Sequence, residues 1–286
     1  MMIEIPILHP KTQTPMPTIQ DLLTALHTLA PPFLAESYDN VGLLVGEAHR
    51  EATGIVVSLD VTEKVLQSAK ERNANVVIAH HPVWFRDRKT LTGNDYVSRT
   101  IIQALRDEIA IIAIHTNLDN IRSGVNDRIA DQIGLTDRAF LRLKKDVPAD
   151  WQGNAGSGLI GLLPKAMPKA DFLAFIKEKF KCGAIRYADA SKIETVHKVA
   201  LCGGSGSFLI GDAIRAGADA LVTADITYHL FFDADDKLLL LDIGHYESEQ
   251  FTIDLLYDFL TDSFPTFALP QKTIFCEYPT NPVRYY

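Results

Sequence analysis

The 286-residue sequence has little cysteine, no long apolar run and no excess of positive charge. Cys182, Cys202 and Cys276 are odd in number, far apart and set in apolar surroundings. That excludes a disulfide framework and reads as buried free thiols in a reducing compartment. No apolar run approaches the ~20 residues that span a bilayer. The start of the chain lacks a basic region, and Pro6, His9 and Pro10 interrupt its short apolar stretch, so it does not resemble a signal peptide. Lys and Arg number 28 against 36 Asp and Glu, a formal net charge of -8. A generic nucleic-acid binder, which draws its affinity from neutralising phosphates, is disfavoured. Short repeats and low-complexity tracts are absent. No Gly-x-Ser-x-Gly follows a strand and no cysteine sits beside a base, which argues against covalent catalysis. The expectation is a soluble cytoplasmic protein.

What is present suits a globular chain: 47% hydrophobic and 22% charged residues, enough for one large domain or two ordinary ones. Short aliphatic runs at 54–59, 75–79, 110–114 and 238–243 read as buried strands. Stretches with helical spacing follow them, at 62–72, 97–107, 125–133 and 247–260, and a helix over 19–29 precedes them with Thr18 and Asp21 as a capping pair. Strands this continuously apolar, alternating with helices, imply mostly parallel sheets covered on both faces. The Pro-, Gly- and Asp-rich segment 146–158 is a candidate boundary. Beyond it come strands at 159–163, 198–202 and 220–223, with helices over 170–180 and up to about 216. The expected architecture is two α/β domains. Residues 1–135 with 232–286 form a discontinuous domain, and 136–231 form a smaller one inserted into it, provided that the run near 240 rejoins the first sheet.

Position carries the chemistry. Of nine histidines, five lie at or just beyond expected strand ends: His80 and His81, His115, His229 and His245. In open parallel sheets, ligands bind in the crevice outside the strands' carboxyl ends. Imidazole and carboxylate together suit zinc, iron, manganese, cobalt or nickel. A mononuclear catalytic site needs about three protein ligands, whereas His80, His81, Asp119, His245 and Glu249 offer more, which points to two divalent cations. Adjacent His80 and His81 point to opposite sides of an extended segment, so each can serve a different ion. His245 and Glu249, four apart, share a face of a helix that begins near 245, and a carboxylate such as Glu249 can bridge two ions.

Other features leave alternatives open. His115 reads as a ligand, as a donor that orients one, or as a proton carrier. His229 faces the same cleft or packs in a core. The loop Gly203-Gly-Ser-Gly206 cradles a phosphate or makes a tight turn against a helix; it lacks the P-loop lysine. Trp84-Phe-Arg-Asp-Arg-Lys89 follows the His pair, so Arg86, Arg88 and Lys89 are candidate substrate-binding cations, or a solvated loop. Asp39 or Asn40 is a candidate support for a ligand.

Taken together, six segments resemble the GTP cyclohydrolase I type 2-like family, also called Ngg-one-interacting-factor-three-like proteins. They are Tyr38-Asp-Asn-Val-Gly-Leu-Leu-Val-Gly46, Ser58-Leu-Asp-Val-Thr62, Ile78-Ala-His-His-Pro82, His115-Thr-Asn-Leu-Asp119, Cys202-Gly-Gly-Ser-Gly206 and Gly244-His-Tyr-Glu-Ser-Glu249. Thr223-Ala-Asp-Ile-Thr-Tyr-His229 departs at Ala224, where a glycine is usual. The resemblance implies two α/β domains and a dinuclear metal centre held by His80, His81, Asp119, His245 and Glu249, with Glu249 as the bridge. It also implies a ring-shaped homohexamer whose metal sites face an internal cavity. The resulting expectation is a dinuclear metal-dependent hydrolase acting on a nucleotide or other phosphorylated small molecule, with opening of the guanine ring of GTP as one candidate reaction. A metal-binding regulatory or scaffold protein without turnover is the alternative.

Overall fold

The computed structural model describes residues 16–265 and 274–286; the start of the chain, expected to be no signal peptide, lies outside them. In chain order the elements are α1 (Ile19–Leu29), β1 (Gly42–Val45), β2 (Ile55–Ser58), α2 (Glu63–Glu71), β3 (Val76–Ala79), α3 (Tyr96–Arg106), β4 (Ala110–Ala113), α4 (Thr116–Asp119) and α5 (Val125–Ile133). There follow β5 (Thr136–Leu143), β6 (Gly156–Pro168), α6 (Lys169–Lys179), β7 (Arg186–Ala188), β8 (Thr195–Ser205), α7 (Ile210–Arg215) and β9 (Ala220–Ala224). The chain closes with β10 (Leu239–Asp242), α8 (His245–Glu249), α9 (Thr252–Ser263) and β11 (Ile274–Cys276). No helix among the described residues is long and apolar enough to cross a membrane.

Helix starts follow local chemistry. Thr18 and Asp21 form a capping box on α1, and the Thr62 hydroxyl accepts from the Val65 N–H at the start of α2. Gly134 closes α5 in the left-handed conformation, φ 70°.

Two sheets carry the molecule. The first has the order β1-β4-β3-β2-β11, parallel except for the β1–β4 ladder. The second has the order β5-β6-β8-β9-β10-β7 and is mixed: β8, β9 and β10 run parallel, and the remaining ladders are antiparallel. The run near 240, expected to rejoin the first sheet, instead extends the second, and the chain returns to the first sheet only at β11.

Alternation along the strands explains how the sheets pack. Ile55, Val57, Val76 and Ile78 of the first sheet share one large core with Val199, Leu201, Leu239 and Leu241 of the second. Their neighbours face outward into separate clusters, Val56 and Val77 under α2 and α3, and Ala200 and Leu240 under α7. Strands buried on both faces are the reason these runs are continuously apolar. The arrangement sets the carboxyl ends of β2, β3 and β4 beside those of β9 and β10.

Candidate metal centre

His80 and His81 follow the last residue of β3 directly. His115 lies just beyond β4, and the single turn of α4 brings Asp119 back over the strand ends. On the second sheet, β10 ends at Asp242, and Gly244, with φ 93°, turns the chain into α8, whose one turn puts His245 and Glu249 on the same face.

These side chains converge from both sheets. Ligand-type atoms of His80, Asp119 and Glu249 lie within 4.8 Å of one another, and so do those of His81, His245 and Glu249. Glu249, 3% exposed, belongs to both groups. Its Oε2 lies 2.9 Å from His81 Nε2 and 3.0 Å from His245 Nε2, and its Oε1 lies 3.9 Å from His80 Nε2. A third group joins His80, His81 and His115.

All four imidazoles are oriented in the same way, with Nδ1 held by an oxygen. The Ile114 carbonyl accepts from His80 Nδ1 at 2.9 Å, so that ring carries its proton on Nδ1 and turns the Nε2 lone pair to the centre. Asp60, Asp39 and Asp225 hold Nδ1 of His81, His115 and His245 at 2.8, 2.8 and 2.7 Å. An oxygen on the remote nitrogen is the usual means of fixing a metal-ligating histidine. Those carboxylates are themselves held, Asp60 by the Thr280 hydroxyl at 2.6 Å and Asp39 by the Thr116 N–H at 3.0 Å and its hydroxyl.

The charges of the cluster are displaced strongly. Burial pushes His80 down to about 4, against the pull of Glu249. Burial opposes protonation of His81 as well, yet Asp60 and Glu249 carry it up to about 9. His245 is carried up to about 11 against its burial by Glu249 and Asp225. Burial and the charge of Glu249 hold Asp119 well above the usual carboxylate range. Burial would raise Glu249 too, but His245 and His81 keep it well below that range.

The residues fit a divalent cation. Two buried atoms, His80 Nε2 and Asp119 Oδ1, have no hydrogen-bond partner among the described residues, although they face each other at 3.5 Å. Buried polar atoms are rarely left so, and imidazole with carboxylate is a donor set for first-row metals. The buried His, Asp and Glu groups can therefore hold a metal ion.

The glycine loop 203–206 supports this cluster. Its amides are engaged within the protein: Gly203 N–H donates to Asn126 Oδ1 at 3.0 Å, Gly204 to Ser248 Oγ at 3.0 Å and Gly206 to Thr223 Oγ1 at 2.9 Å. Close packing against α8, rather than a phosphate cradle, accounts for it. Asn126 also donates to the Asp119 carbonyl at 3.0 Å and so ties the loop to α4.

A cavity of 720 Å³ opens over the centre, lined by His81, His115, Asp119, His245 and Glu249 and by the rings of Tyr38, Phe85, Tyr96, Phe208, Tyr246 and Tyr285. Arg86, Arg88 and Lys89 are outside its wall. Arg88 donates instead to Asp95 at 3.0 Å and Ser98 at 2.9 Å, at the start of α3. His229 is exposed, its ring edge-on to Tyr228, and neither lines the cavity nor enters a core. Asp60 and Asp225 were not singled out from the sequence for a role. Their signal is the one that marked the histidines, a polar residue just past the end of a strand.

Residues 17–282 match the family described as Duf34/NIF3 (NGG1p interacting factor 3). A Clostridium perfringens protein named GTP cyclohydrolase 1 type 2 homolog is 35% identical over 81% of this chain and 86% of its own length. One of the same name from Lactococcus lactis is 30% identical over 92% and 98%. Among solved structures, a Staphylococcus aureus hypothetical protein superposes with a TM-score of 0.86 at 30% identity, over 96% of this chain and all (100%) of the other. A Bacillus cereus protein related to NIF3 superposes with a TM-score of 0.88 at 22% identity, again over 96% and 100%, a likeness of fold.

Proposed function

The chain belongs to the Duf34/NIF3 family, and from that premise we propose that it is a hydrolase dependent on two divalent cations, acting on a nucleotide or another phosphorylated small molecule. One observation carries the reading: Glu249 is shared by two ligand groups, one of which contains the unpartnered His80 Nε2 and Asp119 Oδ1. His80, Asp119 and Glu249 would hold one cation, and His81, His245 and Glu249 the other. Such a pair supplies Lewis acidity and lowers the pKa of water toward neutrality.

The protein's own groups do the rest. His115 lines the cavity with Nδ1 fixed by Asp39, which leaves Nε2 to take or give a proton. Tyr38, Phe85 and Phe208, each about half exposed or more, offer faces on which a flat base can stack. The name borne by the relatives makes opening of the guanine ring of GTP the first reaction to try, and phosphoester hydrolysis the second.

Elemental mass spectrometry on the parent and on Glu249→Ala tests the centre, and a nucleotide panel with and without added metal tests turnover. The expected result is about two ions per parent chain, the loss of at least one in the variant, and product only where metal is present. Retention of both ions by Glu249→Ala would overturn the bridging role. A metal-loaded parent that turns over no phosphorylated compound would leave a metal-binding regulatory protein.

A further inference from the structure

We propose that Arg186 binds an oxyanion of the phosphate class on the substrate, at the His81–His245 end of the centre; the assignment rests on the cavity being the substrate site. Arg186 is the single Lys or Arg among the described residues that line the cavity. Elsewhere the wall carries carboxylates, Asp60, Asp225 and Glu247 among them, so apart from the candidate metal ligands an anion that enters finds one guanidinium and no ammonium group among the described residues.

The guanidinium is fixed through one nitrogen, and its other two are free. Arg186 opens the edge strand β7 and pairs in register with Asp242 at the end of β10. Its Nη2 donates to the Asp242 carboxylate and, at 3.0 Å, to the Ile226 carbonyl, and its plane lies over the Phe231 ring, 5.5 Å from the centroid. Nε and Nη1 have no partner among the described residues, and the side chain is 61% exposed. Nε–H and Nη1–H point to opposite sides of the plane's long axis, and each can donate a single charge-assisted hydrogen bond to an oxyanion in the cavity that Arg186 lines.

Its place relative to the candidate metal ligands is also set. The buried Asp242 carboxylate that anchors Arg186 accepts from the N–H of Ile226 at 2.9 Å and of Gly244 at 3.1 Å. Ile226 follows Asp225, which holds His245 Nδ1, and Gly244 precedes His245. One carboxylate therefore ties the anion-binding guanidinium to both segments that position His245. The tail residues Asn281 and Tyr285 line the same cavity.

The test is a calorimetric titration of inorganic pyrophosphate into the metal-loaded parent, Arg186→Gln and Arg186→Lys, with metal content measured on each. Removing a charge-assisted hydrogen bond is expected to weaken pyrophosphate binding at least ~10-fold in Arg186→Gln. Arg186→Lys, which keeps a point charge beside Asp242, should fall between that variant and the parent, and it keeps the test readable if the glutamine variant does not fold. Metal content should be unchanged. Equal pyrophosphate affinity in all three would show that the anion sits on the metals alone and would overturn the assignment, as would a metal-loaded parent that binds none at millimolar concentration. A parent without metal would instead sink the proposed function, and the difference in affinity among the three would still decide Arg186.

Discussion

At Gly204 the backbone takes a φ of 57° and passes so close to Glu249 that a Cβ there would overlap Glu249 Oε1 and come within 3.1 Å of His245 Cε1. Gly204→Ala therefore meets both a left-handed backbone and a filled space. It is expected to cost about 2 kcal/mol or more in denaturant unfolding and to lower metal content together with stability. The protonation of the imidazoles gives a second prediction. His81 at about 9 and His245 at about 11 both carry a proton at neutral pH in the metal-free protein. Because these values are raised, the stability they contribute is fully present below the ordinary histidine value and is lost as pH rises through about 9 and then about 11. A cation needs their Nε2 lone pairs and must displace those protons, so its apparent affinity should rise about tenfold per pH unit for each proton released below about pH 9. Competition with a chelator between pH 6 and 8 measures this, and a flat profile would remove His81 and His245 from the ligand set. The convergence of His80, His81, Asp119, His245 and Glu249 was legible in the sequence because each lies at or shortly beyond the end of an apolar run. Asp60 and Asp225 were not, because a lone carboxylate past a strand looks like any loop residue until the imidazole opposite it is known.

A single turn of helix, α8, sets the spacing of His245 and Glu249, and Ser248 holds that turn in place. Its buried hydroxyl donates to the His245 carbonyl at 2.8 Å and accepts from Gly204 N–H at 3.0 Å. Ser248→Ala leaves that buried N–H unpaired, and a loss of about 1–3 kcal/mol is expected, with weaker metal retention as the readout that separates positioning from packing. If metal affinity is unchanged while stability falls, Ser248 supports the fold and not the centre. The helical spacing over 247–260 leads to one expected helix. The structure divides it into α8 and α9, because the turn at Gln250 and Phe251 is anchored elsewhere: Gln250 Nε2 donates to the Phe180 carbonyl at 3.1 Å, and Phe251 packs edge-on against Phe180 at 5.8 Å. Those contacts are distant in sequence and leave no periodic trace. The edge strand β5 is hidden for a different reason: Thr136–Leu143 has only exposed and half-buried positions and lacks the aliphatic run that marks the central strands. Residues 238–243 are legible as a strand but not as a member of a particular sheet, since an all-buried aliphatic run fits the middle of either one.

Across the whole molecule, the cluster joins what the sheets keep apart. His80, His81 and Asp119 come from the ends of the first sheet, and His245 and Glu249 follow β10 of the second. The protein crosses the same cleft with weaker ties, Asn126 to Gly203, and the C-terminal tail through Thr280 to Asp60 and Asn281 to Glu247. A cation bound to both sides would be a stronger cross-link, and it would exist only in the folded state. By linkage, metal at 100 times its dissociation constant should add about 2.7 kcal/mol to the stability. For a chain of this size that is a rise in midpoint temperature of roughly 4–5 °C. Scanning calorimetry of the chelated and reloaded parent measures the rise. Glu249→Ala should show a smaller one or none, because Glu249 belongs to both groups, while Arg86→Ala, on the loop outside the cavity wall, should show the parent's. An undiminished rise in Glu249→Ala would place the bound metal somewhere other than between the sheets. The absence of a rise in a parent that demonstrably holds metal would mean that the cleft is already rigid without it, with the paired imidazolium and carboxylate charges of His81, His245 and Glu249 bridging the sheets in the cation's place.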